Sequence, residues 1–426
     1  MVKNKAFRLA AIAAVIASPL TAAMATNGYF SHGYGMKAKG MGGASVAMTD
    51  NAFAGANNPA AAAWAGNRAE VGLDLFSPNR SMERTGNAGG LNASVNSDSN
   101  LFYIPEFGYN KAINDKLGVG ITVYGNGGMN TDYTGGQINC APVGGGAGSN
   151  VLCGQGRVGV DLSQLIVAPT VAYKFDANHS VGISPLLVHQ QFKADGLQLF
   201  QGLSSSPSKV TGNGYDTSNG FGVRLGYLGK INDKVSVGAS YAPKIAMSKL
   251  SKYAGLFAGQ GGFDIPENFT LGASIQATPS VLVALDYQVI KYGGVPAIAN
   301  PSSSAGQLGA DNGPGFGWSD INVWKLGAQW QAMPNLTLRA GINVGENPIK
   351  SRDVTFNVLA PGVVTTQYTL GGTYAMSKEL DVTAAYMYAP SNSVTGASYF
   401  GGFGQPGTET IKMSQQSLGI QFGWHW

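Results

Sequence analysis

Few side chains in this sequence are of a type and spacing that could do covalent chemistry. Its four His, at positions 32, 179, 189 and 425, are scattered, and no Gly-x-Ser-x-Gly run seats a nucleophile on a strand-to-helix turn. His189 with Ser184 nearby is the one pair that suggests a hydrolase, and it keeps a barrel enzyme acting on lipids or esters open as the rival class. Cys140 and Cys153 lie in a Gly-rich stretch with no His beside them, which suits a disulfide across an exposed loop better than a metal site. Nothing else calls for a metal or a cofactor. The other candidates would bind rather than react. Leu197, Leu199, Phe200 and Leu203 in one segment, and Leu250, Tyr253, Leu256 and Phe257 in another, put large apolar side chains between strands. They form either a groove for an oily ligand or a lid that packs on itself. Arg224, Lys325 and Arg339 fall on faces otherwise made of Gly, Ser, Thr and Gln; they either hold a ligand carboxylate or pair with Asp286 and Asp381.

The elements that must position these residues are strands. With 12% charged residues and 62 Gly, the chain has about half the usual share of charge and far more Gly than an ordinary globular domain. From Arg68 onward the period is two: Leu117, Val119, Ile121 and Val123 alternate with Gly118, Gly120, Thr122 and Tyr124. Phe221, Val223, Leu225 and Tyr227 alternate with Gly222, Arg224 and Gly226. One apolar and one polar face is the pattern of a membrane barrel with a polar lumen, and equally of a soluble sandwich with the sides exchanged. The connections decide between them. Short turns at 113–116, 176–179, 231–234, 277–280, 333–335 and 376–378 alternate with long segments near 79–99, 127–156, 193–219, 248–266, 293–319, 347–363 and 391–408. Such alternation predicts an all-β, antiparallel transmembrane barrel of about 14 strands over 67–426.

Both ends of the chain agree with that reading. Lys3, Lys5 and Arg8, the apolar run 9–17 and Ala23-Met24-Ala25 predict a cleaved signal peptide over 1–25. Without those three cations the net charge is about +1, which gives no reason to expect nucleic acid as a partner. Leu418, Ile420, Phe422, Trp424 and Trp426 make a final outward row, and Tyr227, Tyr241, Tyr287, Tyr386 and Tyr388 lie near strand ends, as an interfacial girdle would. Residues 26–66 are different: too rich in Gly, Ala and Met for strand, with Asn58 as an N-cap, Pro59 in the first helical position, and an Ala run up to Trp64. A second short helical turn is predicted over 48–54. So compact a segment must be enclosed by something larger.

The run Gly40-Met41-Gly42-Gly43-Ala44-Ser45-Val46-Ala47, then Asp50-Asn51, then Asn58-Pro59-Ala60, resembles the N-terminal hatch of the FadL/TodX family of outer-membrane transporters for hydrophobic compounds. The resemblance implies a bacterial outer-membrane location, usually as a single barrel, with 26–66 plugging the lumen and passive uptake of fatty acids or hydrocarbons. It implies a kinked third strand beside the hatch, which here falls on Gly125-Asn126-Gly127-Gly128, through which ligand passes sideways into the outer-membrane lipid; those glycines otherwise simply begin a loop. A ligand pocket against the hatch would be lined by Tyr29, Phe30, Met36 and Met41. The aromatic C-terminal row resembles the signal read by the barrel-assembly machinery, although Phe rather than Trp426 is its usual last residue.

Overall fold

The structure, a computed structural model, describes residues 27–426; the predicted signal peptide over 1–25 lies outside them. In chain order the strands are β1 (Arg68–Thr85), β2 (Ala93–Asn96), β3 (Phe102–Ala112), β4 (Leu117–Tyr133), β5 (Val158–Lys174), β6 (His179–Asp195), β7 (Asp216–Lys230) and β8 (Val235–Ala242). They continue as β9 (Asn268–Thr278), β10 (Val281–Ile290), β11 (Ile321–Met333), β12 (Leu336–Gly345), β13 (Thr366–Ala375), β14 (Leu380–Ala397) and β15 (Thr408–His425). Each wall strand is antiparallel to its neighbours and β15 returns to β1, so the sheet closes. The short β2 pairs only with the upper part of β1, which leaves the fourteen wall strands that the turn pattern predicts.

The side chains are arranged inside out relative to a soluble protein. Leu225, Leu271, Leu285, Leu326, Leu370, Leu418 and Ile420 are exposed on the outer face, whereas Glu70, Asp74, Glu106, Asp286, Lys325 and Arg339 are buried in the lumen. That inversion excludes the sandwich: an apolar exterior suits lipid, and closure leaves no strand edge without partners. All six predicted tight turns are in place. Four of the seven long connections are shorter than expected because β1, β4, β6 and β14 run on past the apolar band, β1 as far as Thr85 and β4 as far as Tyr133; the other three, 243–267, 291–320 and 346–365, are slightly longer.

Residues 27–66 lie inside the ring. A 3-10 turn over Pro59–Ala63 is capped by Asn58, whose side chain accepts from the Ala60 N–H at 3.1 Å. The helical turn expected over 48–54 does not form. Its donors go elsewhere, the Ala52 N–H to Glu70 at 2.7 Å and the Phe53 N–H to the Asn51 side chain at 2.9 Å. The one α-helical turn of this segment, α1, is Met36–Lys39.

Above the wall the loops form a cap with its own apolar core, and Cys140 and Cys153 are joined within it. Closing a loop of separation 13 is worth ~3 kcal/mol in chain entropy. Replacing both cysteines by Ser should therefore make residues 134–157 the first site of proteinase K cleavage on intact cells, with the barrel's melting temperature unchanged. Resistance equal to the parent would show that the cap holds this loop without the bond.

Candidate functional site

The hatch is fixed by its backbone to the inner wall. Asn58 is fully buried and its amide donates to Val46 O at 2.7 Å and to Tyr227 O of β7 at 2.9 Å. The wall gives way at glycines: a Cβ on Gly226 would stand 2.1 Å from Asn58 Oδ1, and one on Gly118 would stand 2.1 Å from Ala62 O. The Gly-rich inner faces that the sequence presents as a polar lumen are thus the surface on which the hatch packs. Charge fixes the other side. Lys37 lies 3.1 Å from Glu70 and 3.5 Å from Asp381, and Lys39 lies 2.9 Å from Asp74 and 3.3 Å from Glu106, all buried.

Against this close fit, one sector of the wall is incomplete. The β3–β4 ladder runs only from Ala112 opposite Gly118 to Phe107 opposite Val123. Beyond it, the register of β4 against β5 shifts between Gly125 and Gly127, so Asn126 is bulged. The hatch occupies the vacated edge. Phe30 bridges Gly127, the Ser31 N–H donates to Asn126 O at 3.4 Å, and the Gly128 N–H donates to Tyr29 O at 3.3 Å. Tyr34 Oη also donates to Asn126 O, at 3.1 Å, and the Asn126 amide reaches Gln164 at 2.9 Å. Gly125, Asn126, Gly127 and Gly128 lie within β4, at the place where its register against β5 shifts.

One apolar cavity adjoins this sector and a second lies in the cap. The lower lies between Tyr29, Phe76, Met129, Trp318 and Met413, with Arg80 on its wall. The upper lies in the cap between Leu197, Phe200, Leu256, Leu308, Phe316 and Phe356 and carries no charged side chain. Of the greasy loop residues, Leu197, Phe200 and Leu256 line that cavity. Leu203 packs against its surroundings, while Leu250, Tyr253 and Phe257 are core of the cap, with the Phe192 ring edge-on to Tyr253 at 4.8 Å and tilted against Phe257 at 4.7 Å. Some of these side chains thus line a cavity and others pack within the cap.

The four hatch residues expected in one pocket are separated. Tyr29 lines the lower cavity, and Phe30 borders a polar space of about 380 Å³ with Arg224, Asp286 and Lys325. Met36 packs where Gly419 of β15 leaves room, and Met41 where Gly327 and Gly341 do.

The inward cations are also used by the hatch. Arg224 donates to Ala56 O, Lys325 to His32 O at 3.0 Å, and Arg339 to Thr373 at 2.6 Å and Asp50 at 3.4 Å. Neither Asp286 nor Asp381 is their ion-pair partner: Asp286 accepts from the Ser45 and Val46 N–H groups at 2.7 and 3.0 Å, and Asp381 binds Lys37 and His425. The expected pairing among the wall charges is corrected, because hatch groups reach these side chains first. Ser184 and His189 stand on opposite faces of β6, Ser184 bonded inward to Thr170 at 2.7 Å and His189 to Asn219 at 2.8 Å, so they do not make a catalytic pair.

Periodicity gave no warning of Arg80, Tyr292 and Trp318, which sit around Tyr29. Tyr292 Oη accepts from the Tyr29 N–H at 3.1 Å, and Trp318 lies 5.1 Å from the Tyr292 ring. Trp318 and Tyr292 come from a loop that carries no repeat; Arg80 is hidden because it falls in 79–99, which the sequence presents as a long connection.

A family model described as outer membrane protein transport protein (OMPP1/FadL/TodX) matches residues 12–399. No curated protein sequence matches the chain. Among solved structures, the chain is similar to the toluene transporter TodX of P. putida at 20% identity, covering 93% of this chain and 99% of that one with a TM-score of 0.68. It is also similar to a Pseudomonas aeruginosa FadL homologue at 14% identity, with 93% and 99% covered and a TM-score of 0.67. The Ralstonia pickettii toluene transporter TbuX matches at 18% identity over 93% and 99%, with a TM-score of 0.62. The fold is the same in each case, and with the family model spanning most of its length the chain belongs to the OMPP1/FadL/TodX family of outer-membrane transport proteins.

Proposed function

We propose that this barrel carries hydrophobic small molecules passively across the outer membrane, with the hatch as its gate and the β3–β4 sector as a side exit into the lipid. The observation that carries the reading is the substitution at the kink: where the wall ladder stops at Val123, residues 29–31 of the hatch supply the missing partner. A shift of those few residues would uncover the wall, and the lower apolar cavity opens beside them. An oily ligand leaving sideways avoids re-exposing apolar surface, a cost of about 25 cal/mol per Å². The toluene transporters among the solved relatives support apolar cargo. Ligand would collect in the cap, pass to the lower cavity, and bind the open hatch better than the closed one, since only such a difference shifts the equilibrium. The barrel works as a single chain, and its final strand delivers it to the assembly machinery.

Uptake of radiolabelled toluene and octanoate by cells lacking their own channel tests this. Expression should raise uptake of at least one probe, and replacing Asn58-Pro59-Ala60 by Ser-Gly-Ser should change it several-fold, because the Asn58 side chain alone makes three hydrogen bonds of ~1 kcal/mol each, two of them buried. Uptake at the empty-vector level would end the transport reading. Uptake indifferent to the hatch change would end the gating.

A further inference from the structure

We propose that Trp318 is an internal door between the cap cavity and the lower cavity, held shut by Asn357, and that it sets the width of the cargo that reaches the hatch. The two cavities share their walls. In the segment between β10 and β11, Pro314, Gly315 and Phe316 line the upper cavity and Trp318 lines the lower. In the segment between β12 and β13, Phe356 and Leu359 line the upper, and Ala360, Pro361 and Gly362 the lower. The partition between the two spaces is therefore where 316–318 meets 359–362.

The indole supplies the bulk of that partition. It is 2% exposed, and a Cβ on Gly362 would stand 3.1 Å from its Cη2, so on that side the ring meets backbone. One side-chain hydrogen bond holds it. The indole N–H donates to Asn357 Oδ1 at 2.6 Å, and the Asn357 amide donates in turn to Phe316 O at 2.7 Å and to Asp353 O at 2.8 Å. Asn357 is itself fully buried, and with two donors and one acceptor in use its amide can point only one way. A ring in a close-packed core has nowhere to turn. This one borders an apolar cavity, with a second on the far side of Phe316. Gly317, at φ 70°, precedes it, so the backbone next to the indole can rotate without carrying a side chain.

The inference rests on the transport reading and deepens it, because apolar cargo moving from the cap to the hatch crosses this partition. Trp318 also lies edge-on to Tyr292 at 5.1 Å, and the Tyr292 hydroxyl accepts from the Tyr29 N–H at 3.1 Å. The ring that admits cargo is thus the one that backs the head of the hatch.

Initial uptake of radiolabelled toluene, octanoate and phenanthrene by cells lacking their own channel tests it, with parent, Trp318→Ala, Trp318→Phe and Asn357→Leu compared. Toluene and octanoate are the narrow probes and phenanthrene the wide one. Trp318→Ala should raise uptake of phenanthrene relative to the better narrow probe at least ~10-fold, the low end of what steric fit in an apolar pocket discriminates, and Trp318→Phe should raise it by less. Asn357→Leu keeps the indole and removes its bond, so narrow-probe uptake should quicken about fivefold, one hydrogen bond's worth, with the ratio of wide to narrow close to the parent's. A purely structural role would change all three probes alike. Narrow-probe uptake above the empty-vector level reports that each variant is folded; if Trp318→Ala fails that check, Trp318→Phe decides. A ratio unchanged in the folded Trp318 variants overturns the door and leaves the transport reading standing, and an Asn357→Leu rate no faster than the parent's overturns the part given to Asn357. No uptake of any probe by the parent overturns both.

Discussion

The substitution Gly127→Val should expel the leading residues of the hatch from the wall while the barrel stays closed. A Cβ at this position would stand 1.9 Å from Tyr29 O and 2.9 Å from the Tyr29 ring. Overpacking of this kind costs ~1–3 kcal/mol even where side chains can yield, and here the obstacle is backbone. Nor can the hatch slide aside cheaply, because Tyr292 Oη accepts from the Tyr29 N–H and donates to Asn27 O at 2.5 Å. The strand itself accommodates valine, since Gly127 sits in the ladder opposite Gln164 and β-branched residues favour strand backbone. The strain therefore goes into the hatch. A Ser31→Cys reporter measures it cleanly, because among the described residues neither native cysteine is free. In isolated outer membranes its labelling by a maleimide should be at least ~10-fold faster in the Gly127→Val background than in the parent, the factor that 1.4 kcal/mol of opening represents. Gly146→Ala, at a site with nothing within 4 Å of the added Cβ, is the control that should change nothing. Equal labelling rates would mean that the hatch does not depend on this approach, and the gap would lose its standing as a gate.

The same sector shows what a sequence can and cannot disclose. The barrel was legible because lipid imposes one rule on every strand, an apolar outer face at period two, and because short turns such as 231–234 mark its lower rim. The rule lapses above the lipid. On β1 the outward positions Asn79, Ser81 and Glu83 are polar, so alternation fades and a strand that runs to Thr85 reads as loop after Pro78. Arg80 disappeared with it. Asn58 was legible for a different reason: an N-cap followed by Pro is local chemistry, and the cap forms as written. Periodicity states which way a side chain points and says nothing of what lies across the lumen. Lys325 points inward as expected, but its partner is His32 O, 293 residues away, and the Arg224 partner is Ala56 O, 168 residues away. The kink at Gly125–Gly128 was suggested by its glycines, whereas the hatch strand that completes it could be seen only in the fold.

Replacing Lys39 by Met should loosen the hatch by ~3–5 kcal/mol, the usual result of deleting one partner from a buried charge cluster. Lys39 lies between Asp74 and Glu106, and all three side chains are at most 4% exposed. Methionine fills much the same volume, so the loss is electrostatic: two carboxylates remain, facing one another and out of water. Burial lowers the Lys39 pKa, but the two carboxylates more than offset it and hold it above the ordinary lysine value. A raised folded-state pKa means that this contribution is complete below the unfolded value near ~10.4 and is lost only as pH rises through the folded one. Hatch seating in the parent should therefore not depend on Lys39 titration between neutral and pH 9. In Lys39→Met the dependence is of the opposite kind, since acid protonates the orphaned carboxylates and should restore seating. Hydrogen exchange of the amides over 36–44 reads this directly. Protection should fall in the single variant, return in part at pH 5, and return at neutral pH when Asp74→Asn and Glu106→Gln are added, because a neutral set leaves no charge to neutralise. If the triple variant exchanges as fast as the single one, Lys39 holds the hatch by packing and the charges on β1 and β3 are incidental to the gate.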